Sequence, residues 1–306
     1  MIMRERMPFL LVICGAVLWG TTGTAQTFAP ETAHPVAVGT IRLAVGGTTL
    51  LLLLLLFDWK ASSLRGFSWK QALPAVISMA CYQPLFFSAV TMTGVAVGTV
   101  TAIGSAPILA GILEVVFYRK KQTVRWGIAT LLAVAGCIML FVNSGTVTVR
   151  PLGVLFALGA GLSFAVYSLT SKQLMENRSA LSVTALVFTG SALLLAPLLF
   201  LYDTSWLGQW QGIAVSLHLG VAATSAAYLL FSLGLRRVHS STAVTLSLTE
   251  PLTAAVLGVF LVGETLTAFS WFGMLVLLSG MVVLTSGKKQ PENREGNAKT
   301  FVKTSE

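Results

Sequence analysis

Ten apolar stretches of about 18–25 residues leave this chain few folds to choose from. They lie at Pro8–Phe28, Val36–Phe57, Lys70–Thr91, Val95–Phe117 and Thr123–Val142, then Pro151–Thr170, Leu181–Tyr202, Gln211–Leu235, Ser241–Val262 and Ala268–Ser286. Each is long enough, as a helix, to cross a hydrocarbon core of about 30 Å. A length of 306 residues would otherwise suggest two soluble domains, but 55% of the chain is hydrophobic and only 10% is charged. Ordinary globular domains carry roughly 25% charge. The sequence therefore predicts an all-α integral membrane protein with ten transmembrane helices and no soluble domain between them.

The loops agree with that count. Basic residues precede the first run (Arg4, Arg6) and follow the second (Lys60, Arg65, Lys70), fourth (Arg119, Lys120, Lys121, Arg125), sixth (Lys172, Arg178), eighth (Arg236, Arg237) and tenth (Lys288, Lys289, Arg294, Lys299, Lys303). The alternate loops hold one, Arg150. Short cytoplasmic loops carry the excess of Lys and Arg, so both termini are expected in the cytoplasm. The same pattern explains the net charge of +9 without a nucleic-acid partner. Trp59, Trp69, Trp126, Trp206, Trp210 and Trp271 fall at run ends, where indoles prefer the headgroup level; Trp19 alone sits mid-run. The first run, with Arg4 and Arg6 before it, could pass for a signal peptide. Its removal would reverse the basic-loop pattern, so it is read as a retained span. The polar tail at 288–306 is expected to be disordered. Cys14, Cys81 and Cys137 all fall within apolar runs and lack metal spacing, so they read as small core residues.

A second regularity divides the chain in two. At an offset of 144, Pro107 pairs with Pro251, Phe87-Ser88 with Phe231-Ser232, Thr101 with Thr245, Gly15-Ala16 with Gly159-Ala160, Gly46 with Gly190 and Gly136 with Gly280. This reads as an internal duplication. A unit of five spans is odd, so the second copy must enter the membrane from the opposite face. The domain reading is a short N-terminus at 1–7, a first repeat at 8–145, a second at 146–287 and the tail. Inverted repeats of this kind build secondary transporters, with substrate sites near the midplane between the repeats.

The ninth run supplies the chemistry. Glu250 sits about 13 Å inside its helix, too deep to reach the interface easily. Pro251 beside it removes a backbone donor and frees the carbonyl of Ser247. A carboxylate in a membrane span is a functional candidate by default, with a structural ion pair as the plainer alternative.

These residues resemble the drug/metabolite transporter superfamily, specifically the ten-helix group built from two EamA-type repeats. The resemblance spans Pro8 to about Ser286. It rests on Leu18-Trp19-Gly20, on Ile41-Arg42, and above all on Leu248-Thr249-Glu250-Pro251 with Gly263-Glu264 and Gly273. The first repeat departs from the pattern: Tyr118-Arg119-Lys120-Lys121 stands where a Gly-Glu pair is expected. The resemblance implies a plasma-membrane carrier for small polar or amphipathic metabolites, usually in efflux. Its cavity would be lined by the first, third, fourth, sixth, eighth and ninth helices.

Helical spacing nominates faces independently of any family. Trp19, Thr22 and Gln26 share one side of the first run; Met79, Tyr82, Gln83 and Phe86 share one side of the third, beside Pro84. Ser163 aligns with Tyr167, and Thr224 with Tyr228 and Ser232. Thr101 with Ser105, and Thr245 with Thr249, flank the two prolines. The expected substrate-binding set is Trp19, Tyr82, Gln83, Thr101, Ser105, Tyr167, Tyr228, Thr245 and Glu250. Glu250 and Arg42 are candidates for coupling or for an ion pair. Packing is the simpler account of any single hydroxyl, and Gly94 and Gly98 read as a close-packing GxxxG pair. Arg42, about 9 Å from its span end, has interfacial snorkelling as its alternative. Glu114 is expected to pair with the nearby basic cluster, and Glu264 to lie at the outer surface. His34, His218 and His239 are read as solvated or packed.

No phosphate loop, metal-ligand cluster or nucleophile–base pair is recognisable, so an enzyme, a cofactor and ATP-driven transport are not expected. The expected partners are a small-molecule substrate and the lipid bilayer; a homodimer stays open. Rival readings are uptake of a sugar and a non-transporting scaffold, which would be packed solid at its centre.

Overall fold

The computed structural model describes residues 2–57, 67–141, 150–263 and 265–286. All ten apolar runs fold as membrane-length helices: α1 Arg6–Thr27, α2 Pro35–Phe57, α3 Trp69–Gly94, α4 Val97–Tyr118, α5 Val124–Phe141, α6 Pro151–Leu174, α7 Ala180–Phe200, α8 Trp210–Leu235, α9 Ser240–Val262 and α10 Ala268–Thr285. No strand occurs among the described residues. Trp59, Lys60, Arg65, Glu264 and the tail at 288–306 fall outside them.

Both apolar faces and small residues decide how the helices meet. α1 packs on α8 and α3 on α6, which are the same pairing with the repeats exchanged; α5 packs on α10 across the division. The glycines mark this symmetry at atomic scale. A Cβ on Gly136 would stand 2.6 Å from the Gly273 carbonyl and 2.4 Å from the Leu277 amide. A Cβ on Gly280 would stand 2.7 Å from the Ala129 carbonyl and 2.8 Å from the Ala133 amide. Since 273 − 144 = 129 and 277 − 144 = 133, the contact is one interface seen from both copies. Backbones approach this closely only where no side chain intervenes. The offset read from the sequence is thus the symmetry operator of the molecule.

The departure at Tyr118-Arg119 is also explained by that register. Gly263 closes α9 in the left-handed region at φ 82°, and Arg119, at the matching place (263 − 144 = 119), closes α4 at φ 52°. The left-handed C-cap is kept although the glycine that usually supplies it is gone.

Some local expectations are corrected. Gly94 is not a packing residue: nothing lies within 4 Å of its would-be Cβ, and its φ of 82° breaks the helix between α3 and α4. Gly98 does pack closely as expected, its would-be Cβ 2.9 Å from the Val90 backbone of α3. Trp206 is not an interfacial ring. It is fully buried against Val38, Val215 and Leu219 and donates its Nε1–H to the Asp203 carbonyl at 3.1 Å. Trp69, Trp210 and Trp271 are exposed as expected. Only Cys137 of the three cysteines is buried; Cys14 and Cys81 lie on the outer surface of the helices. His34 stacks on Tyr202 at 4.1 Å, and His218 shares a hydrogen bond with Thr21 at 2.9 Å.

Candidate functional site

The proline in α9 sets the geometry at its centre. The helix runs from Ser240 to Leu246, is interrupted at Ser247 and Leu248, and resumes at Thr249. The Ser247 carbonyl is not left free: the Glu250 amide donates to it at 2.9 Å, tightening the turn ahead of Pro251. This places Glu250 in the first turn of the resumed helix, where an acid is favourable.

Glu250 faces a small, partly open cavity between the repeats. Trp19 and Thr22 of α1, Arg42 of α2, Tyr82 of α3, Ala102, Ile103 and Ala106 of α4, Phe164 of α6, Tyr228 of α8, and Ser247 with Glu250 of α9 line it. The six helices implied by the family pattern are all present, and α2 joins them through Arg42. The centre is therefore a polar-lined space.

Arg42 does not snorkel to the interface. It is 7% exposed, and its Nε donates to Thr224 Oγ1 at 3.1 Å while a terminal nitrogen donates to the Ala223 carbonyl at 3.1 Å. Both acceptors lie in the stretch His218–Ala226, where α8 widens into a π-helix. Thr224 and Ser225 turn their hydroxyls to the carbonyls five residues back, Leu219 and Gly220, which holds that widening in place. Such bulges are often found at functional sites.

Aromatic rings form the walls and the floor. Trp19 lies 4.5 Å from Tyr228 and 5.8 Å from Phe164 between ring centroids, and Tyr82 lies 5.9 Å from Phe164. Phe231, Phe188 and Tyr167, all fully buried, fill the space on the side nearer the chain ends. On that side α9 packs against α4; past Glu250 the two diverge. Thr22, Arg42, Ala102 and Ile103 of the cavity lining lie in the halves of their helices away from the two described chain ends. Two buried polar atoms on its wall have no hydrogen-bond partner, Trp19 Nε1 and Thr22 Oγ1. An unsatisfied buried donor is uncommon and marks a place for a ligand or water.

Of the residues expected to bind substrate, Trp19, Tyr82, Tyr228 and Glu250 line the cavity, and Arg42 joins them. The others stand elsewhere. Gln83 is buried between α3 and α2, 3.3 Å from the would-be Cβ of Gly39. Ser105 donates to the Ala102 carbonyl at 3.2 Å and presses on Gly161 of α6. Thr101 is half-buried on α4 outside the lining. Thr245 donates to the Ser241 carbonyl at 2.9 Å and meets Thr130 of α5 at 3.0 Å. Tyr167 belongs to the aromatic floor. Phe164 and Ser247 are lining residues that sequence reasoning did not nominate. Phe164 stands beside Ser163 on α6, and a phenylalanine at helical spacing carries no mark that separates a cavity wall from core.

Glu114 corrects another expectation. It does not pair with Arg119; it is buried and accepts hydrogen bonds from Gln122, Ser240 and Ser241, with His239 Nδ1 3.9 Å away. Among the described residues there is no group of His, Cys, Asp and Glu arranged to hold a metal.

Two inverted helical repeats enclosing a polar-lined central cavity define a secondary-transporter fold. The chain belongs to the EamA-like transporter family, which matches residues 6–142 and 151–286, one repeat each. It is 47% identical over 295 residues to the uncharacterized transporter YwfM of Bacillus subtilis, covering 96% of this chain and 98% of that one. It is 28% identical to the threonine/homoserine exporter RhtA of Escherichia coli K12, covering 95% and 93% of the two chains. A solved crystal structure superposes with a TM-score of 0.80 at 18% identity, over 91% of this chain and 96% of that one, which supports the fold. The protein is a multi-pass membrane transporter of this family.

Proposed function

We propose that this transporter exports amino acids or closely related small amphipathic metabolites across the plasma membrane by alternating access. The observation that carries the reading is the placing of Arg42 and Glu250 on one aromatic-walled cavity. A zwitterion needs both charges: the Arg42 guanidinium suits a carboxylate, and the Glu250 carboxylate suits an ammonium group. The unpaired Trp19 Nε1–H and Thr22 hydroxyl would complete its hydrogen bonds, with Tyr82, Phe164 and Tyr228 around its side chain. A relative named as a threonine/homoserine exporter, similar along nearly the whole chain, supports the same class.

The excess of Lys and Arg in alternate loops supports a cytoplasmic position for both chain ends, and on that reading the cavity lies on the outward side of the Glu114 contact. Transport then requires α4 and α9 to part on the cytoplasmic side while they close beyond Glu250. Glu250 has a second role open to it, as the carrier of a coupling proton.

Counterflow in proteoliposomes tests the reading. Amino acids trapped inside are expected to drive uptake of labelled amino acid by the wild type, whereas cationic drugs and sugars are not. E250Q keeps the shape and removes the charge, and is expected to abolish exchange. Full exchange in E250Q with unchanged pH dependence removes Glu250 from the mechanism.

A further inference from the structure

Glu114 is a buried carboxylate with no place in the cavity. It is 3% exposed near the chain-end face of α4. One oxygen accepts from the Ser240 backbone amide at 2.7 Å; the other accepts from the Ser241 hydroxyl at 2.5 Å and from Gln122 Nε2 at 2.9 Å. Ser240 and Ser241 open α9, whose first-turn N–H groups have no partners within the helix and whose dipole favours an anion. A carboxylate of the first repeat is thus held by a helix start of the second.

Its position relative to the cavity gives this contact a role. Ala102 and Ala106 line the cavity, and Ala110 and Glu114 follow at four-residue steps on the same face of α4. The contact therefore closes the route from the cavity to the chain-end face, on the side where α4 and α9 are packed together.

The repeat offers no equivalent on the opposite face. At the offset of 144, Glu114 corresponds to Gly258, and Ser240 and Ser241 correspond to Ala96 and Val97. One gate has a charged, fully hydrogen-bonded contact; the symmetry-related place has neither the acid nor the hydroxyls.

We infer that Glu114 is the latch of the chain-end gate, a positioning residue that must release Ser240 and Ser241 before the cavity can open toward that face. The inference rests on the alternating-access reading above. Its energetic consequence is a bias: the polar latch favours the state closed on the chain-end side, because the symmetry-related positions Gly258, Ala96 and Val97 carry no such contact.

The test uses the full chain with its three cysteines replaced, carrying either A110C below the cavity or T22C on its wall, in membrane vesicles of each orientation. Labelling by a membrane-impermeant maleimide reports which face reaches each position. E114Q leaves one accepting oxygen where there were two, and S241A removes a single donor and keeps the fold's shape. Hydrogen bonds to a charged group are strong enough that E114Q is expected to raise A110C labelling from the chain-end face about tenfold. T22C labelling from the opposite face is expected to fall, and S241A to move both in the same direction by less. Unchanged labelling in both variants overturns the inference, as does an equal rise from both faces, which signals a loosened fold. If labelling is unmoved while the wild type exchanges amino acids, the latch falls and the substrate reading stands. If amino-acid counterflow fails yet E114Q shifts the labelling, the substrate reading falls and the latch stands.

Discussion

Arg42 and Glu250 face one cavity from opposite repeats, yet no salt bridge joins them. Arg42 is instead held back by Thr224 and the Ala223 carbonyl. Separated opposite charges around an open space favour a ligand that carries both. R42K keeps the charge but loses the planar fork, and a lysine amine cannot meet both acceptors and a substrate carboxylate in the same geometry. The expected result is a rise of about tenfold in KM for exchange, with the protein still extracted intact. An unchanged KM in R42K would mean that the guanidinium serves only to fix α2 on α8.

The interface between α5 and α10 gives a prediction about stability. A methyl on Gly136 or Gly280 meets opposing backbone, which cannot swing aside. G136A and G280A are each expected to destabilise by about 1–3 kcal/mol, and by similar amounts, because they are one contact viewed twice. G127A is the control, since nothing lies within 4 Å of its would-be Cβ. Thermal unfolding in detergent measures all three.

Arg119 holds a left-handed conformation that glycine adopts freely. It is exposed, and its backbone amide caps the end of α4 by donating to the Val115 carbonyl at 3.0 Å. R119G is expected to stabilise the chain, or to leave it unchanged once the greater freedom of glycine in the unfolded state is counted. The scale is about 1 kcal/mol. A large fall in melting temperature would show that the arginine side chain matters more than the backbone turn.

Asp203, in the loop between α7 and α8, titrates below the usual carboxylate range. The cause is the Ser205 backbone amide first, donating at 2.8 Å, and the Ser205 hydroxyl second, also at 2.8 Å. An acid whose folded pKa is depressed adds stability above its unfolded pKa, and loses it as pH falls through the folded value. Amide exchange at Ser205 is therefore expected to be slower in the wild type than in D203N at neutral pH. The difference should begin to shrink as the pH drops below the ordinary aspartate value of about 4 and vanish once the pH is below the depressed folded value.

The features legible in the sequence were those whose physics is local or periodic. Span number followed from length and hydropathy, the repeat from one offset that the glycine contacts repeat in space, and Glu250 from the cost of an acid in lipid. Trp19, Tyr82 and Tyr228 were found because mid-span rings with polar tips need somewhere to put them. Thr245 and Ser105 misled because a membrane hydroxyl can bond back to its own helix, and both do. Glu114 was misassigned for a related reason. Distance along the helix pointed to Arg119, whereas its partner Ser240 arrives from 126 residues away. The inward turn of Arg42 depends on the widened stretch of α8, which no local pattern announces.

Gly94 gives the first repeat a mechanical character of its own. The chain reverses there through a single left-handed residue, and α4 returns directly along α3, with the would-be Cβ of Gly98 2.9 Å from the Val90 backbone. Tyr82 on one arm and Ala102 and Ala106 on the other therefore reach the cavity from two walls joined by the shortest possible tether.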